Sequence, residues 1–104
     1  MNLSLILHPL DYSAGAKAAL ARALALAEWH EADLHVIHVR SRRRGIDGED
    51  AAHARLREFV EARNPEAAMF ETVILAGDPV TAVADYARHK SPDLLVVDKH
   101  GRPA

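Results

Sequence analysis

Apolar residues fall along this chain in short bursts, separated by longer stretches where they recur every three or four positions. Residues 3–7 (LSLIL) are apolar, too few for a helix and followed by Pro9, so they read as a buried strand. Ser13 is placed to cap the helix after it, in which Leu20, Ala23, Leu24 and Ala27 recur at helical spacing. Ala16, Ala19 and Ala23 are small enough for the backbone to approach its neighbour closely. Residues 33–39 (DLHVIHV) are apolar and β-branched, which predicts a second strand. A basic loop with two glycines precedes a charged helix over Glu49–Arg63, whose apolar stripe is thin: Ala52, Leu56, Phe59 and Val60. Asn64-Pro65 ends that helix, because proline cannot continue it and restricts the residue before it.

Residues 69–76 (MFETVILA) predict a third strand. Gly77-Asp78-Pro79 is a turn into a helix, with Asp78 as its cap and Pro79 in the first helical position. Val80, Val83, Ala84 and Ala87 make that helix's apolar face, Ser91-Pro92 breaks it, and residues 93–97 (DLLVV) predict a fourth strand. The order is β-α-β-α-β-α-β with no internal repeat. Nearly continuous apolar strands alternating with helices imply a parallel sheet covered on both faces, a three-layer α/β/α arrangement. Right-handed crossovers put every strand-to-helix loop along one edge of the sheet. Ligands in such folds bind at the carboxyl ends of the strands, where the strand order reverses. Any site is therefore expected among residues 9–13, 39–44, 76–79 and 98–104.

Composition narrows this further. The 104 residues suit one domain, 1–104, in which roughly two-thirds of the unfolded surface can be buried. Hydrophobic residues make up 49% but the aromatics are one Trp, two Tyr and two Phe, so the core must be aliphatic. With 13 basic and 15 acidic residues the net charge is −2, which supplies no general attraction to nucleic acid or to an anionic membrane. No cysteine is present, which excludes disulfides and thiolate metal sites. The opening residues lack a basic segment followed by an apolar run of signal-peptide length, and no stretch approaches the ~20 apolar residues of a membrane span. A cytoplasmic protein is expected.

Asp11, directly after the first strand, is the natural carboxylate to accept hydrogen bonds from a ribose or a base amino group. The alternative is that Asp11 and Ser13 only order the turn and cap the helix. Arg40 with Arg42, Arg43 and Arg44 leaves the second strand at the ligand edge, where it reads either as an anion clamp or as a solvated loop. No aromatic residues interleave with these arginines, which argues against stacking on nucleic acid. Among seven histidines, His8 and His38 end adjacent strands, but no H-x-x-x-H spacing appears, and no metal site is expected. There is no G-x-S-x-G elbow, no G-x-x-x-x-G-K-[ST] loop and no nucleophile paired with a base, so catalytic residues are not assigned. Trp29 reads as a packing residue.

The segment ILHPLDYS before an alanine-rich helix, the strand ending His38-Val39, the Gly77-Asp78-Pro79 turn and PDLLVVDKHGR together resemble the universal stress protein family over essentially the whole chain. The resemblance implies a doubly wound sheet of the adenine nucleotide alpha hydrolase-like kind, in family order 3-2-1-4-5, usually dimeric. Some members bind ATP or AMP between strands 1 and 4, and others bind no nucleotide. Position by position, Pro9 and Asp11 would flank the adenosine, Val39 would contact the base and Val97 would line the pocket. Asp98, His100 and Gly101 would form the phosphate loop. Nucleotide-binding members carry Gly-x-x-Gly, nine residues, then Gly-Ser or Gly-Thr. Here Asp98 stands at the first glycine, Gly101 keeps the second, and the sequence given ends before the third. A carboxylate there repels phosphate, and at ~4 Å two like charges cost roughly 4 kcal/mol at an effective dielectric of 20.

The family likeness thus implies a chain truncated after strand 4, in order 3-2-1-4, either a fragment or a short form. Strand 93–97 then lies at a sheet edge, a template for pairing with another chain, and a homodimer through residues 94–97 is expected. The expected function is a stress-response binding module with weakened adenine-nucleotide binding. Its alternatives are a nucleotide-free interaction module and a slow ATP hydrolase of related fold.

Overall fold

The computed structural model describes residues 3–40, 48–66 and 69–98. Four strands, β1 (Leu5–Pro9), β2 (Asp33–Arg40), β3 (Phe70–Ala76) and β4 (Leu94–Leu95), alternate with three helices, α1 (Ala16–His30), α2 (Glu49–Arg63) and α3 (Pro79–Lys90). All pairings are parallel, in the order β3-β2-β1-β4. β1 and β2 align Ile6 with Leu34 and His8 with Val36, while β2 and β3 align Leu34 with Phe70 and Ile37 with Val73.

Successive residues of a strand point to opposite faces, and that alternation builds the layers. On one face Ile6, Leu34, Val36, Phe70 and Ile74 pack with Leu20, Ala23 and Ala27 of α1 and Leu56 and Val60 of α2 in one apolar cluster. Alanines at 16, 19 and 23 are buried, as their small size requires for α1 to lie close on the sheet. In α2, Leu56 and Val60 are buried, with Ala52 and Phe59 packed against the cluster. α3 covers the opposite face, tied to β2 by a 2.8 Å hydrogen bond between the Tyr86 hydroxyl and His35 Nδ1. Three layers result, as the apolar pattern predicts.

Several local expectations change. β1 lies two residues later than 3–7 and runs through Pro9. The carbonyls of Leu5 and Leu7 accept from Asp93 and Val96 on the β4 side, so the Pro9 nitrogen also faces β4, past the last pair, Leu7 with Leu95. No ladder donor is needed there, and proline costs nothing. Ser13 is not the α1 cap: Gly15 takes that position without a side-chain capping bond. β4 is only two residues long rather than spanning 93–97, β3 begins at Phe70 and β2 extends to Arg40. Trp29 is 82% exposed and does not serve as a packing residue.

The expectation at residues 77–79 holds. Gly77 has φ 115°, a conformation that disfavours any side chain, and the Asp78 carboxylate accepts from Thr81 N at 2.9 Å with Pro79 in the first turn. At the other end of the sheet, Asp93 accepts from the backbone N–H groups of Ser4 (2.7 Å) and Leu5 (3.0 Å), stapling the start of β4 to β1.

Candidate functional site

β2 and β3 extend the sheet to one side of β1, and β4 returns to the other, so the strand order reverses between β1 and β4. A cavity of about 470 Å³ opens at the carboxyl ends of these strands. Its walls include Pro9, Asp11, Val39, Val97 and Asp98, five of the seven residues singled out from the sequence. The other two, His100 and Gly101, lie outside the described residues, as do Arg42, Arg43 and Arg44.

Each wall residue owes its place to a local cause. Asp11 is exposed at the rim, where its Oδ1 accepts from Ser13 N at 2.9 Å. That is the turn-ordering role, now fulfilled without the helix capping expected beside it. Tyr12, between them, adopts the left-handed conformation (φ 62°), costly for a bulky residue. Its ring holds it there, tilted against His38 at 4.8 Å and edge-on at 5.1 Å to Phe59, with the Arg55 guanidinium 4.2 Å from its centroid. Burial raises the Tyr12 phenol above its ordinary value against the opposing Arg55 charge.

His8 and His38, expected at adjacent strand ends, spend their Nδ1 atoms on backbone carbonyls: His8 on Val96 (2.8 Å) and His38 on Leu10 (3.0 Å). Among the described residues no group of three metal-ligating side chains comes together. A carbonyl only accepts, so His8 Nδ1 carries the proton, and its buried Nε2 finds no hydrogen-bond partner among the described residues. Desolvation lowers the His8 pKa from the usual 6.5, opposed by the Val96 bond and by the charges of Asp98 and Asp11.

Asp98 leaves β4 toward the start of α1. Its Oδ2 accepts from the Ser13 hydroxyl at 3.1 Å, and it lies against Gly15 so closely that a Cβ there would stand 2.4 Å from Oδ2.

Sequence reasoning missed two contributions to this cavity. His8, placed by its sequence only at a strand end with no role assigned, lines the wall and anchors Val96. The apolar face of α3, read as a packing stripe, has no buried residue: Val80 is 70% exposed, and Val80, Val83, Ala84 and Ala87 line the cavity with Ile37 and Leu95. The size of the side chains was the available signal: the α3 face offers only Val and Ala, where the α2 stripe has Leu56 and Phe59.

A parallel sheet reversing between β1 and β4, with an apolar crevice at the reversal, defines the doubly wound α/β class that binds ligands at its switch point. Within that class the chain belongs to the universal stress protein family, whose family model matches residues 4–104. Among solved structures, a universal stress protein family member from Burkholderia pseudomallei is 26% identical (TM-score 0.71), the match covering 94% of this chain and 83% of that one. UspA from Lactobacillus plantarum is 25% identical (TM-score 0.66), covering 99% and 85%. A universal stress protein solved in complex with cAMP is 25% identical (TM-score 0.74), covering 91% and 72%. No curated protein matches the chain significantly.

Proposed function

We propose that residues 1–104 act as one stress-response binding domain, without catalytic residues, whose crevice between β1 and β4 holds an adenine nucleotide weakly. The observation that carries this reading is the single cavity shared by Pro9, Asp11, Val39 and Val97 at the switch point. In this reading Asp11 accepts from a ribose hydroxyl or the base amino group, Pro9 flanks the adenosine, Val39 contacts the base and Val97 closes the wall. Asp98, with His100 and Gly101, borders the phosphates of ATP or AMP. The complex of a 25% identical relative with cAMP supports an adenine ligand. A cytoplasmic location fits this role, and no helix among the described residues is long and apolar enough to cross a membrane.

Calorimetric titration of ATP, ADP, AMP and cAMP, with and without magnesium, tests the reading. Saturable binding is expected. Asp11→Ala should weaken every one of them by about tenfold, because a charge-assisted hydrogen bond to the shared adenosine is lost. Absence of heat with all four would reject it in favour of a nucleotide-free interaction module. That second reading draws on the sheet edge, where Leu95 is 43% and Val97 57% exposed beside a two-residue strand. In both readings a second copy of the chain pairs through residues 94–97 to form a homodimer.

A further inference from the structure

The three helices differ in how their N-termini are served. α2 begins with Glu49 and Asp50, and α3 has the Asp78 cap. α1 has no acidic residue in its first turn and no side-chain capping bond. The first N–H groups of a helix have no partners within it and carry the positive end of its dipole, so they attract an anion. Here the anion is already supplied by the chain. Asp98 accepts from Ser13 Oγ, 85 positions away in sequence, and its carboxylate fills the space over Gly15, where a Cβ would lie 2.4 Å and 2.6 Å from its oxygens. The approach needs a glycine at 15, and it is fixed from behind: buried His8 holds the carbonyl of Val96, two residues before Asp98, at 2.8 Å. Ser13 itself is not consumed by capping, and its hydroxyl is turned to Asp98.

Asp98 and Asp11 line the same cavity, whose remaining wall is largely apolar: Ile37, Val39, Val83 and Val97. From this geometry we propose that Asp98 is a built-in occupant of the anion position at the start of α1, and that the crevice therefore selects an uncharged nucleoside over its phosphorylated forms. This rests on the crevice reading above and names the ligand class for that same site. A phosphate group entering beside Asp98 must displace it from Ser13 or face two carboxylates. A nucleoside brings neutral hydroxyl and amino donors that Asp11 can accept, and its base lies on the aliphatic wall.

The test is calorimetric titration of adenosine, AMP and ATP into the full chain and into D98N and G15A. D98N keeps the shape and removes the charge. G15A keeps the charge and places a methyl group where the carboxylate lies. For the wild type, adenosine should bind more tightly than AMP, and AMP more tightly than ATP. D98N should raise AMP and ATP affinity by about tenfold, the scale of one screened like-charge contact, and leave adenosine unchanged. G15A should give a smaller gain in the same direction. Tighter binding of AMP or ATP than of adenosine by the wild type, or an equal gain for all three ligands in D98N, would overturn the proposal. A second titration, of inorganic phosphate followed by the amide resonances of Gly15, Ala16 and Lys17, separates the two readings. Phosphate-dependent shifts in D98N and not in the wild type are expected even if no adenine compound binds, an outcome that would remove the crevice reading and leave Asp98 as the excluder of anions. Equal shifts in both proteins, or shifts in neither, would overturn that exclusion.

Discussion

His8 couples the floor of the crevice to pH. It is 1% exposed, and burial lowers its pKa from 6.5 while the Val96 carbonyl, Asp98 and Asp11 pull the other way. The unfolded chain therefore takes up a proton near pH 6.5 that the folded chain refuses until lower pH. Stability is fully present above pH 6.5 and is lost as pH falls from there toward the folded value, with a limiting slope of about 1.4 kcal/mol per pH unit for one proton. Denaturant unfolding between pH 7.5 and 5 should show this loss in the wild type. His8→Gln, which does not titrate, should show a shallower dependence, and identical slopes would exclude His8 as the source. Asp93 behaves oppositely in origin: backbone donors from Ser4 and Leu5 hold its carboxyl below the ordinary 3.8. Asp11 could be picked out from its position after the first strand, whereas Val39 and Val97 were indicated by the resemblance to the universal stress protein family. The Asp98–Ser13–Gly15 contact could not be picked out, because it joins residues far apart in sequence through side-chain reach, which periodicity does not encode.

Among the helices, α3 is the one held least by burial. None of its residues is buried, and its attachments include the Asp78 cap and the bond between Tyr86 and His35. Asp78→Ala should cost about 1 kcal/mol of stability, read as a lower denaturant midpoint at unchanged slope. No measurable shift would mean that Thr81 N finds another acceptor. The boundaries of α2 and α3 were legible because Asn64-Pro65, Asp78-Pro79 and Ser91-Pro92 act locally through backbone sterics and missing donors. The α1 start was not, since Ser13 has the right chemistry for a cap but is drawn to Asp98. The length of β4 was not either: residues 93–97 have strand character throughout, and a strand lasts only as far as a neighbour pairs with it. β1 offers that pairing at Leu94 and Leu95.

At the scale of the whole molecule, β4 ends the sheet opposite β3, with Leu95 and Val97 partly open to solvent. Among the described residues no strand lies beyond β4, and such an edge invites another strand. Sedimentation at tens of micromolar should show a dimer, and Val97→Lys should shift it to monomer, because a charge beside an edge strand opposes its pairing with another strand. A wild-type monomer at that concentration would dismiss the edge as an interface.

By itself the sequence determined the element order, the parallel sheet and the aliphatic core, because apolar periodicity and proline or glycine punctuation act over a few residues. It also placed the crevice, since right-handed crossovers leave the strand ends on one edge. Only the tertiary structure decided that α3 lies open along the cavity, that Trp29 faces solvent and that Asp98 sits on the start of α1. Those outcomes depend on which surfaces meet across the fold, and contacts between distant residues are fixed by packing geometry rather than by local pattern.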